Sequence, residues 1–433
     1  MQQCLLLCRD RLSVESMNSP TPITRITFSW RAKLSLLILS VVFALFLGEI
    51  LLRVYSAVTS HNLSQAAARA RKPNGSFFTL GDIVEISPNP RLIYDLAPNR
   101  NGYFGAAPYH SNSHGMRGPE TTLAKPDHVF RIATLGDSSM FGWCVGEDQP
   151  YVRVLEQALN AADDPMRYEV LNFAVPGYNT ALEAEMFASK AAKFNPDLVI
   201  LQFDINDLTL PTFVVDETRW WSPTHCFIWD FARGALHSQS VREKILGIQG
   251  TGLKEGSLHR SRTESGKVTE FLEYQASLTP SKFRYMVGWD GVLSAINHLW
   301  AVTSVPVLHL SMPYPANVAL ANLGRKDDHD RFAEHVLEAS KRQPRLHYLD
   351  ISQAGMDFAK LEKADLYKDF VIKYPDDTHP SVERHILIAR ETYLYLVRNE
   401  MLPRGSNHYL YSDEIAERMW EQADTAWKQR RPK

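Results

Sequence analysis

The chain has 433 residues, 45% hydrophobic and 22% charged, with a formal net charge of −2. This composition allows one large or two ordinary packed domains and excludes global disorder; the near-neutral balance gives no general attraction to nucleic acid. Cys4 and Cys8 lie in the N-terminal tail, and Cys144 and Cys226 in the body, which is neither a disulfide framework nor a zinc cluster, and the last two read more simply as separate thiols than as a bridge.

Residues 1–32 form a tail in which Met17 would serve as well as Met1 for a start, since residues 1–15 add nothing to the apolar run beyond the tail. Residues 34–48 carry no charge, and with Ile50-Leu51-Leu52 beyond Glu49 the run nears the roughly 20 residues a bilayer-spanning helix needs. Glu49 stands near one end, where a carboxylate costs less than at the bilayer centre. A cleaved signal has an apolar stretch of about 7–15 residues and a small-residue cut site close behind. This run is longer and is followed by Arg53-Val54-Tyr55, so an uncleaved transmembrane anchor is expected over residues 33–55. Arg25, Arg31 and Lys33 precede it, and Arg53, Arg69, Arg71 and Lys72 follow it; this count does not set the orientation. A short tail before a long body suits a signal anchor, placing the body on the periplasmic or other extracytoplasmic side.

Residues 56–126 read as a juxtamembrane strap, because Pro73, Pro88, Pro90, Pro98, Pro108 and Pro119 punctuate any regular element. From Val129 the pattern changes. Apolar runs at residues 129–135, 168–172, 198–203, 305–310 and 346–349 read as buried strands. Amphipathic stretches at 151–162, 182–194, 291–302, 331–341 and 382–396 read as helices between or after them. Such alternation predicts an α/β fold with a five-stranded parallel sheet covered on both faces, in the order 2-1-3-4-5. This domain is expected over residues 127–403, with an insertion at about 209–284 containing Trp220, Trp221 and Trp229. Insertions of that length are lids, binding loops or plain coverings of the core. Residues 404–433 are expected to form a charged C-terminal helix.

The first strand ends at Leu135 and Gly136-Asp137-Ser138 follows at once. Ligands of open α/β sheets bind beyond the carboxyl ends of strands, so a serine there meets substrate and the positive end of a helix; the plain alternative is a turn in which serine caps a helix. Gly177 follows the second strand, where a glycine lets backbone approach a substrate and offer its N–H. Asn206 follows the third, where an amide can donate to a developing oxyanion. Serine needs a neighbour to take its proton. Of fifteen histidines, His379 lies after the fifth strand in Tyr374-Pro-Asp-Asp-Thr-His-Pro380, with Asp376 three residues before it. That spacing allows a carboxylate to hold Nδ1–H while Nε2 faces the serine. His385 falls inside the following helix and reads as packed or solvated.

Gly136-Asp137-Ser138, Gly177, Asn206-Asp207 and Asp376-x-x-His379 resemble, in order, the four blocks of the SGNH (GDSL-type) hydrolases. The flanking Ser111-Asn-Ser-His-Gly-Met-Arg-Gly-Pro-Glu120 and Phe141-Gly-Trp143 are similar to those of a bacterial membrane-anchored subgroup. The resemblance implies a flavodoxin-like three-layer sandwich. It also implies Ser138, Asp376 and His379 as the triad, and an oxyanion hole from Ser138, Gly177 and Asn206. Two positions depart: Ser139 replaces the Leu of the name motif, and Asp204 replaces the Gly of the third block. A carboxylate at 204 would either oppose an oxyanion or face away.

Three functions fit these residues. The first is an ester hydrolase removing acyl groups from a surface glycan or lipid-like ester. An O-acyltransferase with the same triad would pass the acyl group to a polysaccharide hydroxyl. A non-catalytic membrane-tethered glycan-binding or scaffold protein would use none of it. No metal-ligand constellation and no phosphate-binding glycine loop occurs, so no cofactor is expected. The partners expected are an acylated substrate and a membrane.

Overall fold

The structure is a computed structural model that describes residues 29–70, 72–105, 107–214, 226–229, 254–255, 281–312, 328–366, 369–372 and 379–430. Asp376, Trp220 and Trp221 lie outside these residues, as do residues 1–28 of the expected tail.

Helix α1 (Trp30–Ala70) opens the described chain. Its Trp30–Tyr55 portion is long and apolar enough to cross a membrane, and none of that portion is buried within the fold. Leu37, Leu39, Phe43 and Phe46 all face outward. The helix runs past Tyr55 to Ala70 because Gln65-Ala-Ala-Ala-Arg-Ala70 are strong helix formers, and Pro73 follows its end.

Short elements come next: β1 (Phe77–Phe78), α2 (Leu80–Ile83), β2 (Val84–Ile86), β3 (Tyr94–Leu96), β4 (Asn101–Phe104) and β5 (Ala107–His110). β4 pairs with β1 and β5, and β2 with β3. Ile83, Tyr94, Tyr109 and Met116 are buried in the same core as the main sheet. Residues of the segment expected as a strap thus contribute to that core.

The main sheet contains β6 (Val129–Leu135), β7 (Arg167–Asn172), β8 (Leu198–Phe203), β11 (Val307–Ser311) and β12 (Leu346–Asp350). Between its third and fourth strands lie the two-residue strands β9 (Phe213–Val214) and β10 (Lys254–Glu255), which pair with each other. The order is β7-β6-β8-β11-β12, with every pairing parallel, the order read from the sequence. All six residues of β8 are buried, as expected for a central strand with both faces covered.

The helices are α3 (Ser138–Phe141), α4 (Tyr151–Leu159), α5 (Thr180–Ser189), α6 (Gly288–Val302), α7 (Asp328–Ser340), α8 (Gln353–Leu361), α9 (Val382–Arg398) and α10 (His408–Arg430). α4 packs on α9, and α8 and α10 lie against α9; α5 packs on α6. Trp300 of α6 stacks on His335 of α7 with ring centroids 5.4 Å apart. The result is the three-layer α/β/α sandwich that the alternating pattern predicts. Asn179, the N-cap of α5, donates to Thr209 O at 2.8 Å and Met286 O at 2.9 Å. One side chain thus ties together the start and the end of the insertion.

Candidate active site

Strand β6 stops at Leu135, and Asp137 caps α3 by accepting from Ser139 N at 2.8 Å. The capping role falls to Asp137, so Ser138 is the first helical residue, and its hydroxyl is left for another partner. That partner is His379: Nε2 stands 2.8 Å from Ser138 Oγ, and both residues are buried. His379 is held beside β6 by backbone pairing between residues 370–372 and 379–381, with Ile372 N on His379 O at 2.9 Å and Ser381 N on Phe370 O at 3.1 Å. Residues 241 apart in sequence meet because β6 is inside the sheet and the His379 loop leads into α9 on its flank.

Asn206 sits in a 3₁₀ turn, Ile205–Leu208, directly after β8. Its Nδ2 donates to Asp137 Oδ2 at 2.7 Å, and the same oxygen lies 3.4 Å from Ser138 Oγ. Asp204 caps this turn, accepting from Ile205 N at 2.7 Å, while its own N–H donates to Asp207 Oδ2 at 3.0 Å. Its carboxylate thus takes part in capping its own turn.

Gly177 follows β7 with a left-handed φ of 78°. A Cβ built there would stand 1.9 Å from Thr212 Oγ1, so only glycine fits. The backbone is pinned by Thr212 N on Gly177 O at 2.8 Å and by the Tyr94 hydroxyl on Pro176 O at 3.0 Å. Ser138, Gly177 and Asn206 thus gather at the carboxyl ends of β6, β7 and β8, and His379 joins them from the loop before α9. Asp376, the carboxylate expected behind His379, lies outside the described residues.

Other residues of the site were given no role in the sequence reading. Trp143 lies nearly parallel to His379, with ring centroids 4.9 Å apart and planes 16° apart. Gln202 on β8 reaches Asp137 Oδ1 at 3.4 Å and accepts from the Tyr151 hydroxyl at 2.5 Å. Arg117 donates to four carbonyls of the loop that carries Trp143. Trp143 and Arg117 lie in the two flanking blocks, Phe141-Gly-Trp143 and Ser111–Glu120, whose resemblance was noted without assigning either residue a role; nothing marked Gln202.

Beneath the site, Glu183 and Asp207 are buried carboxyl groups. Burial raises the Glu183 carboxyl well above its ordinary range, and the neighbouring Asp207 raises it further. Asp207 is raised in the same way, by burial and then by Asp137. Burial in each case favours the protonated form over the carboxylate. His385 is fully buried, and burial lowers its pKa to about 3. It accepts from Tyr151 N at 3.3 Å and stacks on the Tyr151 ring, which makes it a packed, neutral residue. No group of three or more metal-ligating side chains occurs among the described residues, and Cys144 and Cys226 are not joined in a disulfide.

The sequence profile described as the GDSL-like lipase/acylhydrolase family matches residues 134–385. No curated protein matches the chain. Among solved structures, the chain is similar to BT4096, a gut microbial diltiazem-metabolizing enzyme, at 12% identity and a TM-score of 0.36. That match covers 65% of this chain and 50% of the other, so the chain spans half the length of that enzyme. The Clostridium thermocellum family 3 carbohydrate esterase matches at 13% identity and a TM-score of 0.35, over 62% of this chain and 96% of that one. The lipase/acylhydrolase from Enterococcus faecalis matches at 12% identity and a TM-score of 0.35, over 63% and 97%.

Proposed function

Because the chain belongs to the GDSL-like lipase/acylhydrolase family, we propose that it is a carboxylic ester hydrolase with Ser138 as its nucleophile and His379 as its general base. The observation that carries this reading is the 2.8 Å approach of His379 Nε2 to Ser138 Oγ, a hydrogen-bond distance suited to proton transfer. In the first half-reaction Oγ attacks the ester carbonyl carbon while its proton passes to Nε2. The tetrahedral oxyanion is met by the N–H groups of Ser138 and Gly177 and by the Asn206 amide. Collapse breaks the bond to the alcohol oxygen, which takes the proton from Nε2 and leaves. Water then attacks the acyl-serine, gives its proton to Nε2, and releases the acid as Oγ recovers that proton. Asp376 is the proposed partner of Nδ1, on the sequence spacing alone.

The proposed substrate is an acylated glycan or a lipid-like ester outside the cytoplasm, reached by a body that α1 fixes to the membrane. Support for a retained helix comes from Glu49, which accepts from Phe227 N at 3.1 Å and Ile228 N at 2.9 Å and pairs with Arg53 at 2.8 Å. These contacts tie the helix to Phe227 and Ile228 of the insertion. The N-terminus of the mature chain recovered from membranes tests this; a chain that starts beyond Tyr55 and leaves the membrane fraction would refute anchoring.

The catalytic test is a panel of acetyl, short-chain and long-chain esters and acetylated glycans, with wild type and Ser138→Ala. Release of free acid that depends on Ser138 is expected. Transfer of the acyl group to an added sugar in preference to water would make the chain an acyltransferase. Turnover that survives Ser138→Ala would remove Ser138 from the reaction.

A further inference from the structure

We propose that Arg117 is a positioning residue for catalysis, acting through Trp143 on the imidazole of His379. This rests on the reading of Ser138 and His379 as nucleophile and base. Arg117 lies between β5 and β6, before the start of the family match, and is 3% exposed. Its Nη1 donates to Phe141 O and Gly142 O, and its Nη2 to Val145 O and Gly146 O. Two of these carbonyls precede Trp143 and two follow it. The guanidinium also sits 4.9 Å from the Phe141 ring centroid and 3.8 Å from Glu147, whose carboxylate accepts from His110 N at 2.7 Å.

The loop needs such a clamp. Gly142 has φ 86° and Cys144 has φ 56°, so two of its residues are left-handed and one of them is not glycine. That conformation persists only where the surroundings impose it. A buried guanidinium is costly unless its donors are satisfied, and here carbonyls of this one loop satisfy its two terminal nitrogens. The planar fork matches this set of acceptors in a way a lysine ammonium cannot.

The clamp has a chemical consequence at Trp143. Its indole lies flat against His379, which fixes the plane of the imidazole. Proton transfer between Oγ and Nε2 depends on that plane. If the ring tilts, the transfer slows while substrate contacts elsewhere are unchanged. Loss of positioning therefore lowers kcat and leaves KM, since small misplacements can cost up to about 10²-fold.

The experiment uses the full chain in detergent or nanodiscs, with kcat and KM on an ester the wild type accepts and a thermal melt of each variant. Arg117→Lys and Trp143→Ala should each lower kcat about 10–100-fold with KM within about threefold. The double variant should be no worse than the weaker single, since both act through one ring. Trp143→Phe should restore kcat to within about threefold, because a flat ring suffices for the stack. If Arg117→Lys does not fold, Glu147→Gln at the rim of the same clamp decides: a several-fold fall in kcat at constant KM is expected, and an unchanged kcat overturns the role of Arg117. Wild-type kcat in Trp143→Ala, or losses that multiply in the double variant, also overturn the proposal. Ser138→Ala separates the two readings. If it is inactive while Trp143→Ala is not, only the positioning role falls; if it turns over normally, the catalytic reading falls and this one with it.

Discussion

Asn206 and Asp137 are joined by a 2.7 Å hydrogen bond from Nδ2 to Oδ2, onto the oxygen that also faces the Ser138 hydroxyl at 3.4 Å. The amide is thus fixed by the residue next to the nucleophile, with its second N–H left for another acceptor. Asn206→Ala is expected to lower kcat about 10²–10³-fold, the range for one oxyanion donor. Asn206→Asp should be at least as damaging, because it sets a carboxylate against Asp137. Steady-state kinetics on folded protein checks both, and an unchanged kcat in Asn206→Ala would show that the amide serves Asp137 alone.

The Ser138–His379 contact predicts strong non-additivity. Ser138→Ala and His379→Ala should each remove most turnover, and the double variant should be scarcely slower, since each change disables the same step. Asp376→Asn should hurt less than either. Losses that multiply in the double variant would mean that the two side chains act in separate steps.

Gly177→Ala is predicted to fail for two separable reasons. Its φ of 78° costs any L-residue about 1–2 kcal/mol, and its Cβ would collide with Thr212. Adding Thr212→Gly should relieve the collision and recover part of the lost Tm, while the backbone cost stays. A Gly177→Ala protein that melts like wild type would contradict this packing of Gly177 on Thr212.

The buried carboxyls of Glu183 and Asp207 make stability depend on pH. Both are raised by burial, from ordinary values of 4.5 and 3.8. The native chain keeps these protons where the unfolded chain releases them. Their contribution is therefore full below the ordinary carboxylate range and is lost as pH rises through the raised native values. Glu183 has neither oxygen hydrogen-bonded among the described residues, so Glu183→Gln sacrifices no such bond. It should raise Tm by a few degrees at about pH 8 and change it little at about pH 4. Parallel Tm curves for variant and wild type across that range would assign the pH dependence elsewhere.

The sheet was legible because β6 and β8 are unbroken apolar runs ending where turn residues begin; their bounds in the structure are those read from the sequence. Ser138, Gly177 and Asn206 were legible as candidates because each stands just past a strand end, a position with one spatial meaning in a parallel sheet. The short strands β1 to β5 were not, since two to four residues among prolines leave no periodicity to read. Tyr94 and Tyr109 are buried through contacts with distant segments, and local pattern carries no trace of that. Trp143 was visible only as a residue near the serine, because its partner His379 is far along the chain.

The family match begins at residue 134 and ends at residue 385, and each limit cuts through a core element. The first falls inside β6 (Val129–Leu135), after Ile132 and Ala133, which are fully buried. The second leaves only the first turn of α9 (Val382–Arg398), without Leu387, Tyr393 and Leu396. Shared sequence here outlines the reacting groups, while the cooperative folding unit extends beyond it on both sides. A gene fragment trimmed to the matched residues would encode every proposed catalytic side chain and still yield an aggregating polypeptide, lacking five of the seven residues of a central strand, most of α9, and Arg117.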